Sequence, residues 1–584
     1  MNYRKLLLAA ALILPLSCSH KLKDGDYTLT VLSTNDVHST WFDSTYVGNG
    51  IKKSIFAMNY YIDSVRVADG AENVLLVDAG DCLQGDNAAY YYNYVDTVTP
   101  HLFPRLIEYM GYDAIAMGNH DIETGHPVYD RVQADLTRAE APFLAGNAIR
   151  NDSGKPYFPL YKVVNKAGLR IAIIGYNNAN ISAWLAEEVW SGMHFVSIAQ
   201  IIQRDVDYVL AKEKPDVMIA AMHSGCGQGD GSILECEALD AFNSVRGVDW
   251  LICGHDHRPY VETRDSSALL NSGSHSRYVA HGKMHLTVEG GKIVAKRFET
   301  DLIPVKAEKA DPVMRAHFQK DFEAVRAFTL QEVGILNVDM RTRDSYIGPC
   351  PYMNLIHTLC IGQEPAQLSI AAPLTYNGSI SAGTLIFNDL FTIYPFENQL
   401  YVITMSGQEV KEYLEASYDR WINTYTGPGS HVLKIAPRDN LRWQQARWSF
   451  EGLPYNFDSV AGLNYTVDIT KPRGERIAIS SLADGSPFDP ARVFNVALTS
   501  YRASGGGSLL DEVGIDTGKI DERVVARYPE IRSLLYDYLK ENGSIDPEVI
   551  GRPSVIGTWS FAPAAIAAPA LKADMQLLFG QDAK

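Results

Sequence analysis

Short runs of aliphatic residues recur through the N-terminal half of the chain, separated by stretches of helical length. Six of the runs lie at residues 28–32, 74–77, 114–117, 170–174, 217–221 and 250–253. Most of them are continuously apolar rather than alternating, which is typical of strands buried on both faces. Between them, residues 53–67 and 197–212 have the length and composition of helices. This order predicts an α/β layered core.

Polar residues follow five of these strands directly. The segments are Asn35-Asp36-Val37-His38, Asp78-Ala79-Gly80-Asp81, Gly118-Asn119-His120-Asp121, His223-Ser224-Gly225 and Gly254-His255-Asp256-His257. In open α/β sheets, ligands bind beyond the carboxyl ends of the strands. One such Asp or His would be an ordinary turn residue, but five segments in one domain predict a functional site.

The donor types in these segments indicate the kind of ion that would bind. Carboxylate and imidazole together suit Zn, Mn, Fe or Co better than an all-oxygen calcium site. The set holds more donors than one tetrahedral ion uses. Two ions about 3.5–4 Å apart that share one carboxylate would use them, and would activate water and polarise a phosphoryl oxygen. We therefore predict two divalent metal ions as cofactors, with their identity open among these four.

Length and charge limit the class of protein. At 584 residues the chain is too long for one ordinary domain, and 46% apolar residues support sizeable cores. The net charge of −17 excludes a polymeric nucleic acid as partner, because phosphate-backbone binding needs many Lys and Arg side chains. A small anionic substrate is compatible with this charge if bound cations supply local positive charge. We expect a monomer.

The first residues have the pattern of an export signal. Arg4 and Lys5 precede an apolar run over residues 6–16, which is followed by Ser17 and Cys18. That run is too short to span about 30 Å of hydrocarbon. Cys18 resembles the lipidation cysteine of a bacterial lipoprotein, although Pro15 stands where such signals usually carry Leu. We therefore expect residues 1–18 to be a signal. The mature protein would be a periplasmic or surface lipoprotein of a bacterium, with a cleaved soluble form as the alternative.

Six further cysteines are present, and an even number in an exported chain permits disulfides. Cys226 and Cys236 form the one pair that merits a test. Cys253 lies in an apolar strand and is expected to be a packed thiol. Cys82, which follows Asp81, is also expected to be packed rather than to act as a third type of metal ligand.

The five segments, in this order, resemble the motifs of calcineurin-type metallophosphoesterases. More narrowly, the chain resembles the exported family of 5′-nucleotidases, 2′,3′-cyclic phosphodiesterases and UDP-sugar hydrolases, from about residue 28 to at least residue 509. The resemblance implies an α/β fold: a layered metallophosphoesterase β-sandwich flanked by helices, and then a second α+β substrate-binding domain. It implies a catalytic domain over residues 24–305, a linker over residues 306–332 and a C-terminal domain over residues 333–584.

The resemblance also implies roles for matching residues. Seven metal ligands are implied, in one group for each ion plus a bridging carboxylate: Asp36, His38 and His257; Asn119, His223 and His255; and Asp81. His120 matches the catalytic histidine that stabilises the pentacovalent phosphorus and the leaving oxygen. Several members have an Asp three residues later that orients this histidine. Here that residue is Glu123, one methylene longer, so the pair is either looser or re-formed.

Other polar residues near the motifs are expected to have supporting roles. We expect Asp78 and Asp256 to accept hydrogen bonds from ligand imidazoles and so to orient them. Four histidines outside the motifs are expected at the surface or in ordinary hydrogen bonds: His126, His275, His281 and His285. Of these, His275 could approach the site.

The C-terminal half is expected to bind the rest of the substrate. A connecting helix is predicted over residues 312–332, and Ser406-Gly407-Gln408-Glu409 has the form of a capping box that opens a helix through residue 417. The resemblance implies that a nucleoside base lies between two aromatic rings, which by motif are Phe396 and Tyr501, with Asn398 beside them. Each such stack is worth roughly 1–3 kcal/mol.

Departures from the family pattern bear on the substrate. Residues 377–381 lack the Arg with which typical 5′-nucleotidases of this family hold phosphate, and Gly507 stands where an Asp can contact base or ribose. His257 and residues 455–465 resemble the 2′,3′-cyclic phosphodiesterase/3′-nucleotidase branch. We therefore predict an exported phosphoesterase of this branch. The alternatives are a 5′-nucleotidase/UDP-sugar hydrolase, an enzyme for another phosphate ester, and a non-catalytic nucleoside-binding or adhesive surface lipoprotein.

Overall fold

The computed structural model describes residues 22–440 and 445–580, with the side chains of residues 438–440 and 445–447 left out. The predicted signal and its Cys18 therefore lie outside the described residues. Across the described ranges, no helix has both the length and the apolar composition to cross a membrane.

The N-terminal part of the chain is a sandwich of two six-stranded sheets. Their order is β14-β13-β1-β2-β3-β4 and β11-β12-β10-β9-β7-β6, and β5 pairs with β8 outside them. The strands are β1 (Gly25–Thr34), β2 (Val74–Asp78), β3 (Ala114–Ala116), β4 (Phe143–Leu144), β5 (Ala148–Arg150), β6 (Tyr161–Lys166), β7 (Leu169–Tyr176), β8 (Met193–Phe195), β9 (Val217–Met222), β10 (Trp250–Cys253), β11 (Pro259–Thr263), β12 (Ala268–Ser272), β13 (Tyr278–Glu289) and β14 (Lys292–Pro304). The predicted layered sandwich is confirmed.

Helices cover both outer faces of the sandwich. They are α1 (Ile55–Asp69), α2 (Asn87–Tyr90), α3 (Leu102–Met110), α4 (Asn119–Glu123), α5 (His126–Arg138), α6 (Ile181–Trp184), α7 (Glu187–Trp190), α8 (Ile198–Glu213) and α9 (Ala238–Ser244). One face of β1 and β2 packs between the sheets, with Val31 and Val77 against Ile219, while Leu32 and Leu76 pack under α1. Burial on both faces explains why these strands are continuously apolar.

The segment after β14 differs from the single helix predicted over residues 312–332. It forms two helices, α10 (Pro312–His317) and α11 (Gln319–Thr329), with a break at Phe318. The Asp311 side chain caps α10 by accepting hydrogen bonds from the next amides. Phe318 is buried at the break, with its ring 6.2 Å from that of Phe56. The segment is therefore packed onto the catalytic half rather than suspended as a linker.

The C-terminal part is a second α+β unit around a five-stranded sheet of order β23-β17-β26-β20-β27. Its strands are β15 (Glu332–Leu336), β16 (Met340–Arg341), β17 (Leu368–Ala371), β18 (Ser379–Ile380), β19 (Gly383–Ile386), β20 (Gln399–Ser406), β21 (Ile435–Asn440), β22 (Gln445–Phe450), β23 (Ser459–Ala461), β24 (Leu463–Asp468), β25 (Ile477–Leu482), β26 (Val493–Thr499), β27 (Val524–Glu530), β28 (Ser544–Ile545) and β29 (Gly557–Ala562). Its helices are α12 (Pro351–Ile361), α13 (Phe387–Ile393), α14 (Gly407–Trp421), α15 (Ser500–Ala503), α16 (Ile531–Asn542), α17 (Pro547–Ile550), α18 (Pro553–Ile556) and α19 (Ala564–Phe579).

The predicted capping box opens α14. Ser406 Oγ accepts a hydrogen bond from the Glu409 amide at 3.2 Å, and the Glu409 carboxylate accepts one from the Ser406 amide at 2.7 Å. This prediction is confirmed, although the helix continues four residues beyond the expected end, to Trp421.

Aromatic side chains join the two halves of the molecule. Tyr90 of α2 packs against Phe387 and Phe391 of α13, with ring centroids 5.4 and 5.9 Å away. The guanidinium of Arg532 lies over the same Tyr90 ring at 5.1 Å and forms an ion pair with Glu397 at 3.1 Å. This contact fixes residues 394–398, which carry the predicted aromatic loop, against the catalytic half.

The described cysteines are all free thiols, so the pair Cys226–Cys236 is not formed. Cys226 instead approaches Cys253, with 3.8 Å between their Sγ atoms, because the loop after β9 folds over the end of β10. Cys82 is buried and its thiol donates to Asp78 at 3.3 Å. Cys82 and Cys253 are therefore the packed thiols that were predicted.

Candidate metal centre

The five polar segments converge at one edge of the sandwich. Strands β1, β2 and β3 run parallel in the first sheet, and β9 and β10 run parallel in the second, so their carboxyl ends share that edge. Backbone hydrogen bonds connect the segments: the Asp36 amide donates to Gly80 O at 2.8 Å and the His38 amide to Asp81 O at 3.1 Å. The two sheets are joined where the His255 amide donates to Asp36 Oδ2 at 2.9 Å.

One group of side chains consists of Asp36, His38 and His257, whose donor atoms lie within 4.8 Å of one another. The Nε2 atoms of His38 and His257 are 2.9 Å apart. Asp36 Oδ1 is 3.5 Å from His257 Nε2 and 3.9 Å from His38 Nε2. Two imidazole nitrogens and a carboxylate oxygen therefore point at one small volume, as a divalent cation requires.

A second group consists of Asp81, His223 and His255. His223 Nε2 lies 3.0 Å from Asp81 Oδ2, and its Nδ1 donates to the Ala79 carbonyl at 2.7 Å. That bond directs the lone pair of a neutral ring at Nε2 towards the group. Asn119 also reaches this group, because its side-chain oxygen is 3.0 Å from His255 Nδ1.

The electrostatics of the two groups fit bound cations. Asp36 Oδ1 is buried without a hydrogen-bond partner, 4.0 Å from His223 Nε2, which itself lies 3.0 Å from Asp81 Oδ2. Burial alone would lower the pKa of His223, but the charge of Asp81 outweighs it and raises this pKa to about 9. A buried carboxylate oxygen without a partner, in a place that stabilises positive charge, fits a bound metal ion.

Most of the candidate ligands have a left-handed backbone, which non-glycine residues seldom adopt. The φ angles are 48° at Asp36, 44° at His38, 61° at Asp81, 79° at His255 and 57° at His257. Such strain persists only where the surroundings over-determine it, and it concentrates at functional sites. The segments therefore adopt backbone conformations that direct these side chains inwards, although the residue types alone do not favour those conformations.

Two of the candidate ligand imidazoles are held in their neutral form. Burial lowers the pKa of His38 to about 3 and, together with the positive charge of His223, that of His255 to about 3. Burial alone would raise the pKa of Asp36, but the neighbouring imidazoles of His257 and His223 lower it to about 2. Neutral imidazole and ionised carboxylate are the forms that bind metal.

His120 and Glu123 form a close pair on one turn of α4. His120 Nδ1 lies 2.5 Å from Glu123 Oε2, so the longer carboxylate has re-formed the pair rather than loosened it. Burial alone would lower the pKa of His120, but Asp81 and Glu123 outweigh it and raise this pKa to about 10. His120 is therefore a protonated imidazolium beside the two groups of donors.

Asp121 is a structural residue of the site to which the sequence interpretation gave no role. It is fully buried, and its carboxylate accepts hydrogen bonds from four backbone amides: Asp81 at 3.1 Å, Cys82 at 2.9 Å, Leu83 at 2.9 Å and Gly118 at 2.8 Å. Asp121 thus fixes the loop that presents Asp81. Gly118 is required beside it, because a Cβ there would lie 2.2 Å from Asp81 Oδ1. The sequence signal for this role of Asp121 was its place at the end of the Gly-Asn-His-Asp segment.

The roles predicted for Asp78 and Asp256 are wrong. Asp78 accepts from the Thr34 hydroxyl at 2.5 Å and the Gly80 amide at 2.7 Å. Asp256 accepts from the Cys226 amide at 2.8 Å, among other donors, but not from an imidazole. Asp78 ends β2 and Asp256 follows β10, and both accept hydrogen bonds from the surrounding loops, so they stabilise the loops rather than the rings.

The four histidines outside the motifs have the expected local hydrogen bonds, and that of His275 is with Ser274 at 3.0 Å. The other three pair with other parts of the sandwich as follows: His126 with Asp130 and Ser191, His281 with Tyr61, and His285 with Thr28. His275 is different, because its ring centroid lies 5.0 Å from that of His38 and 5.6 Å from that of His257. It belongs to the edge of the metal centre.

The predicted aromatic residues of the second domain lie at one edge of its central sheet. Phe396 precedes β20 and Tyr501 follows β26, and these antiparallel neighbours pair with Leu400 opposite Thr499. Phe396 is exposed, and Asn398 stands between it and the strand, 3.5 Å from the Tyr394 hydroxyl. The adjacent Glu397 is close enough to His120 for its charge to contribute to the raised pKa of that histidine.

The structure adds Tyr455 to this edge. Its ring lies 6.3 Å from that of Tyr501 in an edge-to-face arrangement. Burial raises the pKa of Tyr501 to about 12, with a further contribution from the charge of Glu235 in the loop after β9. Tyr501 therefore lies close enough to the catalytic half for the charge of Glu235 to act on it.

The local packing explains why Gly507 replaces an acidic residue. Its φ is 70°, and a Cβ there would lie 2.4 Å from Asn456 Oδ1 and 2.5 Å from Arg502 Nη1. Arg502 is buried and bonded to Asp458 at 2.8 Å. The space of a side chain at residue 507 is thus already taken by a buried ion pair and its neighbours.

The layered sandwich with its centre of carboxylates and imidazoles defines a metal-dependent phosphoric ester hydrolase. Residues 29–259 match the profile of the calcineurin-like phosphoesterases, and residues 330–512 match that of the 5′-nucleotidase C-terminal domain. The chain belongs to the calcineurin-like phosphoesterases that carry a 5′-nucleotidase C-terminal domain. The resemblance derived from the sequence is therefore confirmed.

Individual related proteins support this family assignment. A 2′,3′-cyclic-nucleotide 2′-phosphodiesterase/3′-nucleotidase of Haemophilus influenzae is 25% identical, with 92% of this chain and 88% of that protein covered. A 5′-nucleotidase of Diplobatis ommata is 23% identical, with 90% and 91% covered. Among solved structures, a Staphylococcus aureus protein assigned as a 5′-nucleotidase has a TM-score of 0.73 at 20% identity, with 91% of this chain and 99% of that chain covered. The structural likeness shows the common fold.

Proposed function

We propose that this protein is a 2′,3′-cyclic-nucleotide 2′-phosphodiesterase/3′-nucleotidase. The observation that carries the proposal is the convergence of two ligand groups beside the close pair of His120 and Glu123, at the edge that faces the aromatic loops of the second domain. The relatives with that activity, which align over most of their length, support the branch. A 5′-nucleotidase remains the second candidate, because relatives of that kind align over a similar share of the chain.

We assign Asp36, His38 and His257 to one metal ion and Asn119, His223 and His255 to the other, with Asp81 between them. Bound there, the two cations supply Lewis acidity, which activates water and offsets the charge of the phosphoryl oxygens. The chain's own residues set the geometry. The lowered pKa values of His38 and His255 keep these imidazoles neutral, and the lowered pKa of Asp36 keeps its carboxylate ionised.

His120 is assigned as the general acid. Water oxygen adds to phosphorus and gives a proton to solvent, the P–O2′ bond of the cyclic diester breaks, and His120 donates its proton to O2′, which leaves a 3′-nucleotide. His120 then takes up a proton from solvent. In a second round the P–O3′ bond breaks in the same way and releases the nucleoside and phosphate. Glu123 keeps the imidazolium oriented and charged through the 2.5 Å contact with Nδ1, so that Nε2 carries the transferable proton.

Product analysis tests the branch. Residues 22–584 with Mn²⁺ are incubated in parallel with 2′,3′-cyclic AMP and with 5′-AMP, and the products are separated by chromatography. We expect the cyclic diester to pass through 3′-AMP to adenosine while 5′-AMP is spared. Faster turnover of 5′-AMP would reject the cyclic-phosphodiesterase assignment and leave the general nucleotidase.

Phe396 and Tyr501 are assigned as the two walls of the base site, with Asn398 as a further contact. Replacement of either ring by alanine is expected to raise KM for 3′-AMP about tenfold or more, since one stack is worth roughly 1–3 kcal/mol. Turnover of p-nitrophenyl phosphate, which has no base, should change little. Tyr401→Phe, within the sheet, is the matched aromatic control. Equal losses on both substrates would show that the rings support the fold and not the base.

We further propose that the protein is exported, on the basis of Arg4, Lys5 and the apolar run before Cys18.

The rival of another class is a surface lipoprotein that binds nucleosides without hydrolysing them. Every candidate ligand position carries a competent donor, which favours the enzyme. Metal analysis separates the two, because only the enzyme needs about two divalent ions per chain.

A further inference from the structure

His275 lies where the chain crosses from one sheet of the sandwich to the other. Strand β12 belongs to the second sheet and β13 to the first, and residues 273–277 connect them over the edge that carries the metal centre. The backbone amide of His275 donates to the Asp36 carbonyl at 2.8 Å. The crossing is therefore attached directly to a segment with a candidate ligand.

The crossing is held in a strained shape by groups on the first sheet. His275 and Ser276 both have a φ of 53°, in the left-handed region. Asn35 donates to the Gly273 carbonyl at 2.6 Å and accepts from the Ser272 amide at 2.7 Å. Left-handed non-glycine residues that are fixed in this way are a mark of function rather than of an unconstrained loop.

The ring of His275 is exposed and lies beside His38, and His120 lies beside His38 as well. The ring centroids are 5.0 Å from His275 to His38 and 5.4 Å from His120 to His38. The two rings outside the ligand groups thus both contact the same ligand. A phosphoryl group bound at the ligand groups would have both rings within its reach.

The hydrogen bonds of Ser274 determine which nitrogen of His275 carries hydrogen. The Ser274 hydroxyl is buried, and its oxygen accepts from Arg277 Nη2 at 2.6 Å. The one acceptor that the structure gives for the Ser274 hydroxyl hydrogen is His275 Nδ1, at 3.0 Å. Because buried hydroxyls are hydrogen-bonded, Nδ1 accepts, and the neutral ring has its hydrogen on Nε2.

We propose that His275 is a substrate-binding residue whose Nε2–H donates a hydrogen bond to a non-bridging phosphoryl oxygen. A neutral N–H donor suits this position, because it binds an anionic oxygen and offers no lone pair to the neighbouring cations. Ser274 and Arg277 act as positioning residues that set the tautomer. The assignment rests on the proposed phosphoesterase function and adds a recognition residue to it.

Binding of inorganic phosphate tests this inference without turnover. Calorimetry compares the Mn²⁺-loaded protein with His275→Asn, His275→Gln and the control His194→Ala, an exposed histidine on β8. Asn tolerates the left-handed backbone but is too short to replace Nε2, whereas the amide of Gln reaches about as far. A hydrogen bond to a charged group is worth about 1.5–3 kcal/mol, so we expect phosphate to bind about 10- to 100-fold more weakly to His275→Asn. His275→Gln should recover most of the loss, and His194→Ala should match the unchanged protein.

Two further readouts separate this role from others. Metal content should remain at two ions per chain in His275→Asn, and KM for p-nitrophenyl phosphate should rise more than kcat falls. Unchanged phosphate affinity would overturn the inference, and loss of an ion would make His275 a metal ligand instead. If the unchanged protein binds phosphate yet hydrolyses no nucleotide, the proposed function fails, while the variant comparison still decides the role of His275.

Discussion

Replacement of His120 by alanine is expected to lower kcat for 3′-AMP by about two to four orders of magnitude, which is the usual contribution of a positioned general acid. The loss arises because the leaving oxygen then departs without a proton. Metal content should stay at two ions per chain, since the implied ligand at this turn is Asn119. Steady-state kinetics and elemental analysis on the same preparation provide the measurement.

Two companion variants sharpen this expectation. Glu123→Gln keeps the shape of the partner but removes its charge, and should cost about 10- to 100-fold, as for other residues that orient an active imidazole. His126→Ala, at the start of α5, should leave kcat unchanged. Turnover of His120→Ala close to that of the unchanged protein would refute the general-acid role.

Asp36→Asn is expected to remove metal binding and with it nearly all activity, at least about a thousandfold in kcat/KM, because the ions supply several kcal/mol of transition-state stabilisation. Asp36 Oδ1 lies 3.5 Å from His257 Nε2 and 3.9 Å from His38 Nε2, so this oxygen belongs to the first ligand group. An amide there presents either a weaker donor atom or an N–H to the cations. Asp152→Asn, on the surface, is the matched control.

Thermal unfolding provides a second readout for Asp36→Asn. Mn²⁺ should raise the Tm of the unchanged protein by mass action, since it binds the folded state, and should leave that of the variant nearly unchanged. The Asn oxygen can still accept from the His255 amide, so the metal-free variant should fold. Two tightly bound ions in Asp36→Asn would contradict the ligand assignment.

Much of the fold and of the site follows from the sequence. The strand ends could be predicted because buried parallel strands are continuous apolar runs in the sequence. The motif residues follow these runs directly. Local chemistry was equally readable at Ser406 and Glu409, where a three-residue spacing defines a capping box. These features depend on neighbours in sequence, so a single chain is enough to detect them.

The features that the sequence did not predict depend instead on contacts between distant segments. Asp121 binds amides of a loop about forty residues earlier, and Asp78 turns to Thr34 rather than to an imidazole. Each contact depends on how distant segments are packed, and no spacing along the chain encodes it. The break at Phe318 likewise depends on a pocket in another part of the sandwich.

The backbone amides around Asp121 have a consequence for metal loading. Contacts within the protein alone shape the ligand loops: the hydrogen bonds of the Asp121 carboxylate, the close packing at Gly118 and the hydrogen bond between His255 and Asp36. We therefore expect the loops that carry the candidate ligands to keep their shape when no ion is bound. Ions can then exchange without unfolding the chain, so the supply of cations around the protein would decide which metals occupy it.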